Sequence, residues 1–414
     1  MRRCVRGGVM AALLAAVLLP VSVVADTEPP ALFLTWQTDP TTTMVIDWHT
    51  EPGDDPGKLR YRPAESGDWR SDVPERHAFP FSERTIQRVA LDGLEPGTEY
   101  VFQVGDFSRE YRFRTLLERL DGSMTFATGG DTRHTQEMME RTNRVVMEHD
   151  PEFIVWGGDL AYADGRSRNA YRWYSWFDAI RNTLITDDGR VVPIVVAIGN
   201  HEMRSHEGGL FWYDFDGYEQ TDDWRARYAP YFFGLFAFPG QPGYGVLDIG
   251  DHTSLVILDS NHANPVTGDQ RDWLEATLDE REGRAHVIPF YHVPAYPSVR
   301  RYNQRTSREI REQWVTLFDE YRIEIAFENH DHAYKRTPPM RASDYHPRGA
   351  IYFGDGAWGV ETREVHDPDR VRHLFDARAE RHAIIVTLED EQRHIAVYSE
   401  HGELIDELRQ ELIR

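Results

Sequence analysis

Six apolar runs in the second part of the chain each lead directly into a loop. The runs are MTFAT, EFIVWGG, VVPIVVAIG, TSLVILD, HVIPFY and IEIAF. Near-continuous apolar runs separated by amphipathic stretches are typical of strands buried on both faces of a sheet, with helices between them. Because ligands of open α/β sheets gather beyond the carboxyl ends of the strands, the pattern predicts one site at a common sheet edge.

Seven side chains in these loops are candidate metal ligands. They are Asp131, Asp159, Tyr162, Asn200, His292, His330 and His332. The run SLVILDSN adds a strand but no obvious ligand. Oxygen and imidazole ligands in such a cluster suit iron, zinc or manganese, and seven of them are enough for two adjacent cations. The sequence therefore predicts a two-metal hydrolase.

The histidine pair is the strongest part of this set. His330 and His332 are two residues apart, so in an extended segment both point to the same side. Together with His292 after another strand, they are costly to place without a cation or another partner. Taken alone, an aspartate after a strand is more often a turn former or a helix cap, and Asn200 would suit a tight turn. The complete set is what favours metal binding.

The chain divides into two parts by its pattern. Short alternating or β-branched runs broken by Pro, Gly and Asp fill residues 31–116, which is typical of an antiparallel sandwich. After a polar bridge at residues 118–122, strands alternate with helices. We therefore predict an N-terminal all-β sandwich over residues 27–117 and an α/β domain over residues 122–414.

The first residues indicate export. Three arginines precede an apolar run at residues 9–24 that closes on Val23, Val24 and Ala25, which predicts a signal peptide over residues 1–25. The run is shorter than the roughly 18 to 20 residues of a spanning helix, and Pro20 interrupts it, so an uncleaved anchor is the less favoured alternative. We expect a secreted or periplasmic protein without a stable membrane anchor.

The charge of the chain limits its partners. The formal net charge is −23, and such a field repels nucleic-acid backbones and anionic membranes. Nucleic-acid binding is therefore not expected. A small anionic substrate would still be accepted where metal ions reverse the potential locally. No sequence feature indicates an oligomeric state.

Residues 203–245 are rich in aromatic residues and glycine and lack a clear period. They form an insertion after a ligand loop. One interpretation is a substrate wall, and the other is packing of the aromatic side chains against the core. The side chains concerned are Trp212, Tyr213, Tyr218 and Trp224.

The motifs together resemble a known family. The order GD, GDLxY, GNHE, a strand-end histidine and HxHAYxR resembles the calcineurin-like metallophosphoesterases, and within them the purple acid phosphatases. The resemblance covers the chain from Met124 onward and implies two β-sheets flanked by helices. LDGLEPGTEYVFQVG resembles a fibronectin type III module, and a module of this kind precedes the catalytic domain in two-domain purple acid phosphatases.

The resemblance also implies a ligand assignment. Asp131, Asp159, Tyr162 and His332 would hold Fe³⁺, whereas Asp159, Asn200, His292 and His330 would hold Zn²⁺, Mn²⁺ or Fe²⁺. Asp159 would bridge the ions, and a tyrosinate from Tyr162 would give a visible charge-transfer band. The wider superfamily has a histidine where this chain has Arg133, and His134 is the alternative to Tyr162 that we favour less. Asn329 stands where the family usually has glycine.

The activity that the resemblance implies is hydrolysis of phosphate monoesters by attack of a metal-bound hydroxide. His201 would contact the substrate as a catalytic residue, or alternatively would support a ligating carboxylate. Plant-type members carry further histidines after the strand-end histidine, but this chain reads PAYPSVRRYNQ there. Arg300, Arg301 or Tyr302 could contact phosphate instead.

Two alternative functions stay open. The altered loop around Arg300, together with the aromatic insertion, favours a phosphodiesterase or nucleotide hydrolase on the same site. A non-catalytic surface binding protein is the less favoured alternative. The segment GDGAWG at residues 354–359 would either support the core or form the rim of the site.

Overall fold

The computed structural model describes residues 28–204 and 220–413. The signal peptide predicted at residues 1–25 lies outside these residues, as do Trp212, Tyr213 and Tyr218 of the aromatic insertion. No helix within the described residues is long and apolar enough to cross a membrane.

The N-terminal part is a sandwich of two four-stranded antiparallel sheets. Its strands are β1 (Leu32–Thr35), β2 (Met44–Thr50), β3 (Leu59–Pro63), β4 (Arg70–Asp72), β5 (Glu75–Ala78), β6 (Thr85–Leu91), β7 (Glu99–Gln103) and β8 (Tyr111–Arg114). The sheet orders are β1-β2-β6-β5 and β4-β3-β7-β8. In β8, Tyr111 and Phe113 are buried while the arginines between and after them are partly exposed, the alternation of a strand with one face on a core. The prediction of an all-β sandwich is confirmed.

The second part contains two mixed sheets. The strands of the first sheet are β9 (Met124–Gly129), β10 (Phe153–Trp156), β11 (Ile194–Val196), β21 (His382–Leu388), β22 (Gln392–Ser399) and β23 (Leu404–Glu411). Those of the second are β12 (Gly245–Ile249), β13 (Thr253–Ile257), β14 (His286–Phe290), β15 (Ile325–Phe327), β16 (Tyr334–Arg336), β19 (Ile351–Gly354) and β20 (Asp376–Arg378). A separate hairpin pairs β17 (Met340–Arg341) with β18 (Asp344–Tyr345).

Parallel pairing aligns the carboxyl ends of the central strands. The first sheet has the order β11-β10-β9-β21-β22-β23, and β9, β10 and β11 are parallel. The second has the order β12-β13-β14-β15-β19-β16-β20, in which β13, β14, β15 and β19 are parallel. The loops that follow these strands consequently leave each sheet along one edge.

Helices cover the outer faces of the two sheets. They are α1 (Gln136–Met147), α2 (Ala170–Thr183), α3 (Asp222–Tyr228), α4 (Pro230–Leu235), α5 (Asp269–Asp279) and α6 (Arg305–Glu320). The inner faces meet in an aromatic core in which the rings of Phe126 and Phe290 lie 6.1 Å apart. Trp156 of β10 packs on Trp176 of α2, and Trp314 of α6 packs on Tyr291, which follows β14. Two sheets flanked by helices are therefore present as expected.

The sandwich packs against α2 through aromatic side chains. Phe33 of β1 stacks on Phe177 of α2 with ring centroids 5.3 Å apart. His49 of β2 is fully buried between Phe33, Phe79 and Phe177. Residues 115–123 connect β8 to β9. The domain limits at residues 117 and 122 stay a prediction.

Candidate metal centre

All seven candidate ligands lie in the loops at one edge of the two sheets. The first sheet supplies Asp131 after β9, Asp159 and Tyr162 after β10, and Asn200 after β11; the second supplies His292 after β14 and His330 and His332 after β15. Each of the seven residues is at most 5% exposed. Polar groups that are buried this close together are costly unless each has a hydrogen-bond partner or a bound ion.

Three ligand atoms form a nearly equilateral triangle. Tyr162 Oη donates to Asp131 Oδ1 over 2.9 Å and lies 3.1 Å from His332 Nε2. Asp131 Oδ1 and His332 Nε2 are 3.0 Å apart. Two ligands at right angles around an ion with bonds of about 2.1 Å are also about 3.0 Å apart. The triangle therefore has the size of one face of a metal coordination sphere.

A second set of ligand atoms lies beside Asp159. His292 Nε2 is 3.1 Å from Asp159 Oδ2 and 3.1 Å from His330 Nδ1, and the ligand atoms of these residues all lie within 4.8 Å of one another. Asn200 Oδ1 is buried and has no hydrogen-bond partner among the described residues. An orphaned buried amide oxygen is costly, and a cation would satisfy it.

Each aspartate is held by a backbone N–H from another loop. His330 N donates to Asp131 Oδ2 over 2.8 Å, and His201 N donates to Asp159 Oδ1 over 2.7 Å. Each carboxylate thus keeps its other oxygen towards the candidate ligands. Hydrogen bonds of this kind fix the orientation of metal-binding carboxylates.

Five of these residues have left-handed backbones. Asp131, Asp159, Tyr162, His330 and His332 have φ angles between 53° and 79°. Positive φ costs a non-glycine residue of order 1 kcal/mol, and such residues persist only where the surroundings hold them. Their concentration in these loops supports a functional role for the loop edge.

Opposite charges lie close together in the second set of ligand atoms. Burial opposes ionisation of Asp159, but the charges of His292 and His201 and the hydrogen bonds from them hold its pKa below the ordinary value. Burial opposes protonation of His292 as well, yet Asp159 and Asp131 raise its pKa to about 9. Without a metal, a proton on His292 thus neutralises the buried carboxylate.

The glycines before the aspartates make room for a side chain. A Cβ on Gly157 would lie 1.8 Å from Asn329 Nδ2, and one on Gly130 would lie 2.5 Å from Asn329 Oδ1. Asn329 Nδ2 also donates to the carbonyl of Tyr291. The residue that replaces the family's glycine therefore fills the space between the loops of both sheets.

His201 lies at the site and is held by a residue that the sequence did not single out. Its Nδ1 is 2.6 Å from Asp164 Oδ1, and its ring lies over the ring of Tyr162 with centroids 4.3 Å apart. Its Nε2 is 4.0 Å from Asp159 Oδ2. Burial opposes protonation of His201, but Asp159 and Asp164 raise its pKa.

Glu202 was also missed, although it stands in the GNHE motif. It is 1% exposed, and its carboxylate accepts hydrogen bonds from the N–H groups of Asp159, Leu160 and Gly199. Burial and the charge of Asp159 raise its pKa to about 7. Glu202 joins the loops that carry Asp159 and Asn200.

The loop after the apolar run SLVILDSN also contributes a side chain close to the site. His262 follows SLVILDSN, is fully buried, and has its ring centroid 5.5 Å from that of His292. The buried carboxylate of Asp259 accepts from the N–H groups of residues 262–264 and fixes this loop. In the sequence, the histidine in DSNH was the only sign of this contribution. The position of the His262 side chain depends on contacts between loops, which the sequence pattern does not show.

The loop after His292 is tied down by two buried carboxylates. Asp331 accepts from Val299 N over 2.7 Å and from the guanidinium of Arg300 over 2.5 Å, and Asp355 accepts from Ser298 N. Of the three residues expected to reach phosphate, Arg300 is thus paired with a carboxylate. Tyr302 lies beneath the guanidinium of Arg311, 3.7 Å away, and Arg301 is exposed.

The segment that follows β19 forms part of the rim. Gly356 packs so closely on Asp131 that a Cβ there would lie 1.9 Å from Oδ2. Glu361 N donates to His134 Nδ1 over 3.2 Å, which leaves the ring hydrogen of neutral His134 on Nε2. Arg363 places its guanidinium 3.5 Å from His332 Nε2. Arg363 was not among the candidate residues.

Two family models match the chain. Residues 29–115 match the purple acid phosphatase N-terminal domain, and residues 96–334, more than half of the chain, match the calcineurin-like phosphoesterases. Purple acid phosphatase 23 of Arabidopsis thaliana is 26% identical over 344 residues, which cover 73% of this chain and 69% of that protein. Phosphoenolpyruvate phosphatase of Allium cepa is 27% identical over 268 residues, which cover 63% of this chain and 52% of that enzyme.

Solved structures share the fold. Purple acid phosphatase PPD1 from yellow lupin superposes with a TM-score of 0.74 at 16% identity, covering 92% of this chain and 74% of that one. PhoD superposes with a TM-score of 0.65 at 12% identity, covering 94% and 90%. From these matches and the architecture together, we conclude that the chain belongs to the calcineurin-like phosphoesterases and is a purple acid phosphatase-like enzyme of that family.

Proposed function

We propose that this phosphoesterase is a two-metal phosphatase that hydrolyses phosphate monoesters. The observation that carries the proposal is the triangle of Asp131 Oδ1, Tyr162 Oη and His332 Nε2, with sides of 2.9 to 3.1 Å. It lies beside a second set of buried ligand atoms. Placing so many polar atoms together is costly unless cations complete the site.

The donor types fit two different ions. Phenolate and carboxylate oxygens are hard ligands that suit Fe³⁺, whereas imidazole and amide ligands suit Zn²⁺, Mn²⁺ or Fe²⁺. Asp131, Asp159, Tyr162 and His332 would hold the first ion. Asp159, Asn200, His292 and His330 would hold the second, with Asp159 shared between the two. The orphaned oxygen of Asn200 supports this assignment.

A bound metal pair lowers the pKa of a water molecule and neutralises charge on the phosphoryl oxygens. The protein's own contribution begins with His201. Asp164 accepts from Nδ1 and so fixes the ring, and Nε2, which faces the site, carries a hydrogen to donate when the imidazole is protonated. Because its pKa is raised, His201 can donate to a phosphoryl oxygen or pass a proton to the leaving group.

The compartment and the partners belong to the same proposal. Arg2, Arg3 and Arg6 with the apolar run after them support secretion or export to a periplasm. The substrate would be a small phosphate ester. The acidic net charge of −23 argues against extended nucleic-acid partners.

Cleavage of phosphodiesters or nucleotides on the same site is the second candidate. The loop PAYPSVRRYNQ contains no histidine to serve the leaving group, and Asp331 holds its Arg300. A site without a dedicated acid in this loop favours leaving groups that need less protonation. The anhydride bonds of nucleotides offer such leaving groups.

The test compares a chromogenic phosphate monoester with the matching diester, using mature protein loaded with iron and zinc or with manganese. Turnover that Asp159→Ala abolishes and Asp187→Ala preserves would support the proposal, since Asp187 is an exposed aspartate. Preference for the diester would move the assignment to the second candidate. No turnover of either ester under any of these metals would refute both and favour the non-catalytic alternative.

A further inference from the structure

Arg363 lies against both histidines of the HxH motif. Its backbone N donates to the carbonyl of His332 over 3.0 Å. Its guanidinium donates from Nη1 to the carbonyl of His330 over 3.3 Å and places Nη2 3.5 Å from His332 Nε2. The side chain is partly exposed. It therefore brings a positive charge to the edge of the triangle while staying within reach of solvent.

No carboxylate neutralises this charge at close range. Within residues 28–204 and 220–413, no Asp or Glu oxygen lies within 4.0 Å of the Arg363 guanidinium. Arg300 differs, because it also donates to the carbonyl of His330 but is paired with Asp331. Arg363 is thus the arginine at this edge that keeps its charge for another anion.

Arg133 does not offer the same possibility. It is 8% exposed and its Nε has no hydrogen-bond partner among the described residues. After burial, the strongest charges that act on it are those of Arg172 and Tyr171 on α2. Arg363, by contrast, places Nη2 3.5 Å from His332 Nε2, a corner of the ligand triangle. The guanidinium that faces the ligand triangle is therefore that of Arg363.

A monoester and a diester differ in what they present to such a group. A phosphate monoester has three unesterified oxygens and, near neutral pH, close to two negative charges, whereas a diester has two such oxygens and one charge. A guanidinium offers parallel N–H donors that match two oxygens of a phosphate. A cation at the triangle that no carboxylate neutralises therefore favours the monoester.

We propose that Arg363 binds the phosphoryl oxygen that a monoester has and a diester lacks, and that it thereby makes the site selective for monoesters and for inorganic phosphate. The inference rests on the proposed function and names the substrate class of that site. Arg363 takes the place of the histidines that are missing from the loop after His292.

The experiment uses metal-loaded protein with Arg363→Gln, Arg363→Lys and, as the matched control, Arg372→Gln, which alters an exposed arginine nearby. Three quantities are measured: metal content per chain, the affinity for inorganic phosphate by calorimetry, and kcat/KM for a matched monoester and diester. We expect Arg363→Gln to weaken phosphate binding and to lower the monoester-to-diester ratio of kcat/KM, each by about tenfold or more, at unchanged metal content. Arg363→Lys should recover part of both, because it restores the charge but not the paired donors.

Two results would overturn the inference. Unchanged phosphate affinity and an unchanged ratio at full metal content would show that Arg363 does not bind the phosphoryl group. Loss of metal from Arg363→Gln would instead make it a positioning residue for the His332 loop. Failure of the parent protein to hydrolyse either ester would refute the proposed function. This outcome is distinct from the other two, because it is measured on the parent protein and not on the variants.

Discussion

The hydroxyl of Tyr162 donates its hydrogen to Asp131 Oδ1, the oxygen that also lies 3.0 Å from His332 Nε2. A proton thus occupies the region that a cation would fill. Burial together with Asp131 and Asp159 raises the pKa of Tyr162 well above its usual value. In metal-free protein the phenol is therefore protonated, and an ion that binds there must displace the proton.

Metal binding should release protons. The pKa of His292 is raised to about 9, so at pH 7.5 both His292 and Tyr162 are protonated in the metal-free protein. Their protons must leave when the nitrogen and oxygen become ligands, so apparent affinity should rise with pH. The contribution of His292 to this rise should level off above about pH 9. Titrating Zn²⁺ or Fe³⁺ into metal-free protein, in two buffers with different heats of ionisation, measures the release. Heats that are the same in both buffers would contradict the expectation.

The visible colour of the iron-loaded protein should depend on Tyr162. Tyr162→Phe removes the phenol oxygen from the triangle and leaves the second set of ligands unchanged. We expect the visible absorption band to disappear, with one proton fewer released on loading. Tyr345→Phe, a change at an exposed tyrosine, should keep both. A band that survives Tyr162→Phe would show that Tyr162 is not the source of the colour.

Asn329 should be coupled energetically to Gly157. Gly157→Ala places a methyl group on the Asn329 amide, and overpacking of this kind costs about 1 to 3 kcal/mol. Asn329→Gly leaves a cavity and removes the hydrogen bond to Tyr291. The double variant should be more stable than the sum of the two single changes predicts, by about 1 kcal/mol or more. Chemical denaturation of the parent, the two single variants and the double variant measures the four free energies of unfolding that this double-mutant cycle needs. Strictly additive free energies would contradict the expectation.

The buried His49 should make the protein sensitive to acid. Burial, with the charges of Arg84 and Arg88, lowers the pKa of His49 to about 3, and neither ring nitrogen has a hydrogen-bond partner among the described residues. A depressed pKa contributes stability above the unfolded value of about 6.5, and that stability is lost as pH falls towards 3.

The change that tests this is His49→Phe. Between pH 6 and 4 the variant should lose less stability than the parent, by up to ~1.4 kcal/mol per pH unit. Urea denaturation across this range measures the difference, with His401→Phe as the control because His401 is exposed. Parallel slopes for parent and variant would mean that His49 does not titrate on unfolding.

Much of the fold could be predicted because local sequence patterns indicate its strands and helices. The apolar runs that end at Asp131, Asp159, Asn200 and His292 were visible as strands, and the strand ends located the candidate ligands. The alternation in the first part of the chain likewise indicated a sandwich. Parallel pairing then brings the carboxyl ends of these strands to one edge of each sheet, and this arrangement can be predicted from the sequence pattern.

The supporting residues could not be found in the same way. Asp164 acts on His201, Asn329 fills space at Gly157, and Arg363 reaches the HxH motif only because β19 lies next to β15. These roles depend on contacts between loops that are distant in sequence. An isolated carboxylate, amide or guanidinium carries no local signal for such a contact.

The candidate ligands divide between the two sheets, with Asp131 on one and His332 on the other. Joining positions so far apart in sequence closes a long stretch of chain, which is entropically costly in an unfolded polypeptide. With only Cys4 available, this sequence cannot form an internal disulfide. Ions held between the sheets would serve as its cross-link, so resistance to heat and proteolysis should follow metal supply even where no substrate is present.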